Sequence, residues 1–429
     1  MKAYISEIAG FVSRDVEIRG WLYNKRSSGK LYFLLVRDGT GTIQVIADKA
    51  SVGDEMFARC EELTQESSLI AKGTVREERR APGGYEMVLS ELQIVHLSSD
   101  YPLTPKEHGV SFLLDRRHLW LRSSRQHAVL SVRSCVEKAC RDFLDSRGFM
   151  LIDAPILTPA ACEGTTTLFQ TDYFGSLAYL SQSGQLYMEA AAMAFGKVYC
   201  LGPTFRAERS KTRRHLIEFW MLEPEVAFAT LDDVTTLGEE LVAFVVRSVL
   251  EQRRDALETL GRSLEALEQI EIPFPRVTYG DAVDVLKSKG LDIKWGDDFG
   301  AVEEAELSKS YDRPVFVRYF PSECKAFYMK SSPDDPRTTL SVDLLAPEGY
   351  GEIIGGGQRE DSLEVLEEKV KKAGLPREAF EWYLDLRRYG SVEHSGFGLG
   401  LERTVAWICG IEHVREAIPF PRMLHRLGP

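Results

Sequence analysis

The sequence predicts an α+β protein, a small N-terminal five-stranded β-barrel followed by a larger domain in which an antiparallel sheet is flanked by helices. Three observations carry this reading. From Val16 to about Leu97 the chain alternates apolar and polar residues in short runs punctuated by glycine (VEIRGWLY, KLYFLLVRDGTGTIQVIAD, SLIAKGTVREE, YEMVLSELQIVHL), the pattern of five strands closing a small barrel. Asp100 to Gly109, with Pro102 and Pro105, then reads as a linker, after which Val129, Val132, Val136, Ala139 and Phe143 recur at the spacing of an amphipathic helix. Beyond Arg147-Gly148, strand-like segments (MLIDAPIL, Leu177 to Leu180, Val198 to Leu201, His215 to Phe228, Val315 to Phe320) are interspersed with helical stretches at Leu231 to Leu267 and Ser362 to Tyr389. Pro155 is too disruptive for a central strand position. The expected boundaries are a barrel at 1–99, a linker at 100–115, and a larger domain at 116–429 carrying a helical insertion at about 230–310.

Composition narrows the function. At 429 residues, 44% hydrophobic and 28% charged, the chain has the make-up of a multidomain globular protein, which excludes fibrous and low-complexity classes. Seven widely spaced cysteines without a CxxC pair speak against a zinc or disulfide framework. Met1 to Gly10 lacks an apolar signal core, and the most apolar stretch, Leu241 to Leu250, is interrupted by Arg247, so the expectation is a cytoplasmic protein with no membrane partner. The net charge of −12 opposes a polyanionic partner, yet residues 1 to 37 and Arg206 to Arg214 each hold a basic surplus of four. Two such patches suit a long nucleic acid touching the protein twice; solvated charged faces account for the same counts.

Chemistry concentrates in three segments. In Thr204-Phe205-Arg206-Ala207-Glu208, extended backbone would project Arg206 and Glu208 to one face, and on the returning strand Phe219, Met221, Glu223 and Glu225 would share a face. Carboxylates alternating with large apolar residues are not the mark of a solvated hairpin. In Gly396-Phe397-Gly398-Leu399-Gly400-Leu401-Glu402-Arg403, alternate glycines let a strand approach a flat ligand, and Glu402-Arg403 opens a helix. The spacing is not that of a dinucleotide fingerprint. In Ser341 to Arg359, Asp343 and Glu352 flank a turn ahead of three glycines and an arginine, which suits a magnesium ion shared with phosphates or, equally, a surface hairpin.

Together these segments resemble class II aminoacyl-tRNA synthetases. The helix with Arg147-Gly148-Phe149 and Pro155 resembles motif 1, Phe205 to Glu208 with its loop resembles motif 2, and Gly396 to Arg403 resembles motif 3, in that order. An OB-type barrel ahead of this catalytic domain is similar to the aspartyl/asparaginyl/lysyl subgroup. Glu163-Gly164, Gln185 to Glu189, Glu218 to Glu225, Lys325 to Lys330, Ala346 to Glu352 and Ile418 to Arg422 resemble the asparaginyl branch more than the aspartyl one.

The resemblance implies a reaction and its residues. ATP would be held by Arg206, Glu208, Arg214, His215, Leu216, Phe219, Glu352, Gly400, Glu402 and Arg403, with Arg206 and Arg403 the catalytic cations and Asp343 and Glu352 the ligands of Mg2+. L-Asparagine would meet Glu163 and Gln185 at its backbone end and Arg359 and Glu223 at its carboxamide. Met188 stands where aspartyl enzymes carry a lysine. The anticodon of tRNA(Asn) would fall on Phe33, Gln44 and Arg26 of the barrel, although a core position explains Phe33 equally well. Motif 1 implies a homodimer. An aspartyl enzyme and an asparagine-forming paralogue stay open as alternatives; the paralogue lacks the barrel.

Overall fold

The computed structural model describes residues 1–159, 162 and 168–429. The chain forms two compact units, Met1–Gly109 and Val110–Pro429. The first is a closed barrel of β1 (Asp15–Ser28), β2 (Leu31–Arg37), β3 (Thr42–Asp48), β4 (Ser68–Glu77) and β5 (Tyr85–His96), paired in the order β1-β2-β3-β5-β4. Helix α1 (Lys49–Glu62), which the alternating pattern did not announce, joins β3 to β4. The period of two decides what is inside: on β2, Tyr32, Leu34 and Val36 enter the core while Leu31, Phe33, Leu35 and Arg37 stay partly exposed.

The second unit opens with α2 (Val110–Asp115) and α3 (Arg117–Trp120), so helix occupies positions where the proline-bearing sequence suggested linker. Helix α4 (Ser124–Ser146) is capped by the Ser123 side chain and buries Val129, Val132, Val136, Ala139 and Phe143. The expected strand around Pro155 is reduced to β6 (Met150–Leu151) and β7 (Leu157–Thr158), because proline supplies no ladder donor. Then come β8 (Gln170–Tyr173), β9 (Ser176–Leu180), α5 (Gln185–Phe195), β10 (Lys197–Phe205) and β11 (Glu218–Ala227). The insertion carries α6 (Leu231–Gln252), α7 (Arg254–Thr259), α8 (Leu264–Glu268), β12 (Arg276–Thr278), α9 (Tyr279–Ser288) and α10 (Ala301–Ser308). The chain closes with β13 (Val315–Arg318), β14 (Ser341–Ala346), β15 (Gly351–Gln358), α11 (Leu363–Lys372), α12 (Arg377–Arg388), β16 (His394–Gly400) and α13 (Leu401–Cys409).

The main sheet runs β12-β13-β14-β15-β16-β11-β10-β6. Its six central strands are antiparallel, as the sequence predicts, whereas both edge strands join in parallel. Helices α4, α6 and α13 pack their apolar stripes on one face around Phe397, Leu399, Leu222 and Ile354. That leaves the other face of the central strands free to carry polar side chains.

One polar cluster lies inside this unit. Glu189 of α5, with no exposed surface, accepts hydrogen bonds from Tyr383 Oη (2.8 Å) and Arg387 Nη2 (2.7 Å) of α12, and meets His394 Nε2 of β16 at 2.9 Å. Burial alone would protonate Glu189; Arg387 and His394 outweigh it and hold the carboxyl well below its ordinary range. The cluster ties α5 and α12 to the sheet. Glu189→Ala strands a buried guanidinium and an imidazole, and we expect it to lower stability by about 3–5 kcal/mol in chemical denaturation.

Candidate active site

The hairpin β10–β11 turns through a basic loop, and β15, β16 and the start of α13 lie beside it. They line a cleft of about 110 Å³ that opens to solvent. All ten side chains or backbones named above for ATP line it, joined by Met221, Ile353, Gly398 and Val414. Strand β10 ends at Phe205, so Arg206 and Glu208 belong to the connection and not, as the pattern suggested, to extended strand. What holds Arg206 in line is its backbone N–H, which donates to Ile217 O at 3.0 Å. Its guanidinium carbon lies 5.4 Å from the centre of the Phe219 ring, and among the described residues its buried Nε has no protein partner. An orphaned buried donor in a cleft is the mark of a site built for a ligand.

The other cations of the cleft are anchored by acids. Arg403, in the first turn of α13, donates from Nη1 to Glu352 O (3.0 Å) and Glu352 Oε2 (3.1 Å). Arg214 donates to Glu304 Oε2 of α10 at 2.9 Å, and Glu304 also accepts from the Glu352 backbone N–H at 3.0 Å. His215 Nε2 lies 3.6 Å from Glu208, and burial, reinforced by Arg403, pushes the imidazole toward its neutral form. Glu402 differs from its neighbours. It lines the cleft, but its oxygens accept from Arg133 of α4 (2.8 Å) and from the Trp220 N–H (3.0 Å), so its geometry is that of a strut between α4, β11 and α13.

Asp343 of β14 and Glu352 of β15 converge over Gly355: a Cβ there would lie 2.8 Å from Glu352 Oε1 and 3.5 Å from Asp343 Oδ1. Lys325 already bridges to Asp343 at 2.6 and 2.8 Å. Burial raises the Asp343 carboxyl despite Lys325, and the facing Glu352 adds to the rise. Among the described residues no three His, Cys, Asp or Glu side chains gather into a metal cage. Two carboxylates fit a cation whose remaining oxygens come from phosphate and water.

Arg359, 1% exposed, is joined by Nε and Nη2 to Glu225 of β11. Burial would discharge the guanidinium, but Glu225 outweighs it and raises its affinity for the proton. Glu223 accepts from Ser183 Oγ, from the Gly184 N–H (2.8 Å) and from Cys200 Sγ (3.5 Å). Gln185, the first residue of α5, gives its Nε2 to Glu189 at 3.0 Å, leaving its amide oxygen as an acceptor. Met188 is fully buried against Ala192, Val198 and Cys200. Glu163 lies outside the described residues.

Sequence reasoning missed Glu225's partner, Lys325, Glu304, Ser183 and Cys200. Alternation along β11 signals Glu225, but Glu304 sits 48 residues from the backbone group it binds, and no local pattern could find it.

On the barrel, Phe33 points outward, away from the core. The Arg26 guanidinium carbon lies 4.4 Å from its ring centre, Arg26 Nη2 donates to Gln44 Oε1 (3.2 Å), and Gln44 Nε2 donates to the buried Glu86 (2.9 Å). The three residues expected to act together thus share one face, with Glu86 and Arg76 behind them.

The comparisons with known proteins agree with this architecture. A family described as tRNA synthetases class II (D, K and N) matches residues 109–424, and an OB-fold nucleic acid binding domain matches residues 16–95; the chain belongs to the class II tRNA synthetases. Among relatives, a protein named "Asparagine--tRNA ligase" from Pelotomaculum thermopropionicum is 60% identical over 100% of both chains, and one of the same name from Desulforamulus reducens is 59% identical over 99% of both. The crystal structure of asparaginyl-tRNA synthetase from Pyrococcus horikoshii complexed with asparaginyl-adenylate is similar at a TM-score of 0.97 and 46% identity, over 100% of both chains. An aspartyl-tRNA synthetase from Entamoeba histolytica is more distant, at 26% identity, 100% and 93% coverage and a TM-score of 0.84. Within its class the chain belongs to the asparagine–tRNA ligase family.

Phe33→Ala is expected to change barrel stability by under about 1 kcal/mol, whereas Leu34→Ala, one position away but in the core, should cost about 2–5 kcal/mol. Urea unfolding of the two variants checks the orientation of β2.

Proposed function

We propose that the chain activates L-asparagine with ATP to asparaginyl-adenylate and transfers the aminoacyl group to the 3′ end of tRNA(Asn). The observation that supports this most is the convergence of the ten residues from motifs 2 and 3 and the β14–β15 hairpin on one cleft with an unpartnered buried Arg206 Nε. The reaction needs no protein nucleophile. The amino acid's carboxylate attacks the α-phosphorus in line and pyrophosphate leaves, so the protein contributes position and positive charge. Arg206 would meet the α-phosphate and the attacking carboxylate, and Arg403 the distal phosphates, each a preorganised donor to developing negative charge. Glu208, Arg214, His215 and Leu216 would frame the nucleotide, with Phe219 under the adenine. Gly400 would leave the floor bare beside it.

Asp343 and Glu352 would hold Mg2+. When bound, the ion would draw charge from the phosphates; the residues' own part would be to present carboxylate oxygens over Gly355, where a side chain would crowd Glu352. Glu163 and Gln185 would accept from the α-ammonium group. For the side chain, Arg359 offers donors to the carboxamide oxygen and Glu223 an acceptor for its NH2, while Met188 leaves no cation for a second negative charge. The barrel would stack an anticodon base on Phe33 beside Arg26 and read its edge with Gln44. A homodimer is the expected assembly, because Met150 and Leu151 on the edge strand β6 are 49% and 46% exposed and Leu157 follows at 43%. Among the described residues no helix is long and apolar enough to cross a membrane.

ATP–pyrophosphate exchange measured side by side with asparagine and aspartate tests the reading. A site built on buried hydrogen bonds rejects an analogue lacking the donor by about 10⁴–10⁵, so equal exchange with both amino acids overturns the choice of asparagine. Arg403→Ala should lower exchange by on the order of 100-fold or more in a variant that is still folded. Exchange at the unmodified rate removes Arg403 from the mechanism.

A further inference from the structure

Glu223 sits in a setting that nothing above explains. It is 3% exposed on β11, and three donors from two other elements converge on its two oxygens: Ser183 Oγ–H on Oε1, the Gly184 N–H on Oε2 at 2.8 Å, and Cys200 Sγ–H of β10 on Oε2 at 3.5 Å. We propose that Ser183, Gly184 and Cys200 form a clamp that keeps Glu223 an oriented, charged acceptor and thereby sets the preference for asparagine over aspartate. The proposal rests on the reading in which Glu223 accepts the carboxamide NH2.

The geometry is built for this purpose. Ser183 and Gly184 stand at the N-terminus of the 11-residue helix α5, where Ser183 Oγ also accepts from the Gln185 N–H at 3.1 Å, so one hydroxyl is held against the start of the helix and donates to the acid. The helix end places partial positive charge beside the carboxylate. Position 184 admits no side chain: a Cβ there would lie 2.6 Å from Cys200 Sγ, 2.9 Å from Ala154 Cβ and 3.1 Å from Glu223 Oε2. Glycine is what lets the backbone donor reach the acid. From β16, Gly398 presents no side chain toward Glu223, and beyond β10 Arg206 supplies favourable charge. Glu225, two residues along β11, is occupied by Arg359.

Discrimination follows from protonation state. A charged Glu223 accepts from the NH2 of asparagine and repels the carboxylate of aspartate. A protonated Glu223 is a donor, which suits aspartate and wastes the asparagine NH2. Burial pushes the Glu223 carboxyl upward, and the Ser183, Gly184 and Cys200 donors oppose that rise. Cys200 is itself kept protonated by burial and by the neighbouring Glu223, so it stays a donor. Because the folded-state shift is upward, the acceptor form is lost as pH falls, and removing a clamp donor moves that loss to higher pH.

The test is exchange with asparagine and with aspartate, from about pH 6 to about pH 8.5, for Ser183→Ala, Cys200→Ala, Cys200→Ser and Glu223→Gln, each first shown to be folded by circular dichroism. Ser183→Ala should lower the asparagine-to-aspartate ratio of kcat/KM by about 10- to 100-fold, the worth of one hydrogen bond to a charged group, and the deficit should deepen toward low pH. Cys200→Ala should do the same more weakly, and Cys200→Ser, which keeps a donor, should restore the ratio. Should Ser183→Ala and Cys200→Ala both keep the unmodified ratio at every pH while Glu223→Gln loses it, the clamp is overturned and the role of Glu223 stands. Should Glu223→Gln keep the ratio, the reading of Glu223 itself falls.

Discussion

Room for buried charge under strand β16 is the constraint on which the rest of the catalytic unit depends. A Cβ at Gly396 would lie 2.2 Å from the Glu225 carboxyl carbon, so the strand must be bare there for the acid to fit. Once buried, Glu225 requires a cation, and Arg359 at the end of β15 supplies it, which in turn fixes β15, β16 and β11 in register. A buried pair of this kind adds little net stability over an apolar pair, because desolvation offsets the attraction. Its worth is in position: the guanidinium is oriented before any substrate arrives.

The same logic recurs along the cleft with different partners. Arg403 is held by Glu352, Arg214 by Glu304, and Lys325 by Asp343, so nearly every cation of the site meets an acid from another strand or helix. Arg206 is the exception, with a buried Nε left without a protein partner among the described residues. The arrangement keeps the site neutralised without collapsing it.

Around Gln185, the polar groups are held by side chains from α5, α12 and β16. Glu189 occupies Gln185 Nε2 and leaves its amide oxygen as an acceptor, and it is itself fixed by Tyr383, Arg387 and His394 from the opposite side. Side chains held this way have little conformational freedom left to lose.

Much of this was legible in the chain. Alternation of period two determined the barrel strands, and the three-and-four spacing determined α4, because both follow from local backbone geometry; which face of β2 turns inward was settled only by the closed barrel. The glycine run of β16 and the Arg206 and Arg403 segments stood out in the sequence as separate stretches, and the tertiary structure brings them to one cleft. Other features were decided only by the tertiary fold. Where β10 stops and Arg206 begins depends on a cross-strand bond to Ile217, and the parallel edge strands depend on neighbours far away in sequence. Above all, the partner of each buried charge was undetermined: Arg359 could have faced Glu223 or Glu225, and Glu304 entered the site from the insertion. Residue type and spacing determine that a charge is present, but the energy of burying it depends on distance and dielectric in three dimensions, and those are set only when the chain closes.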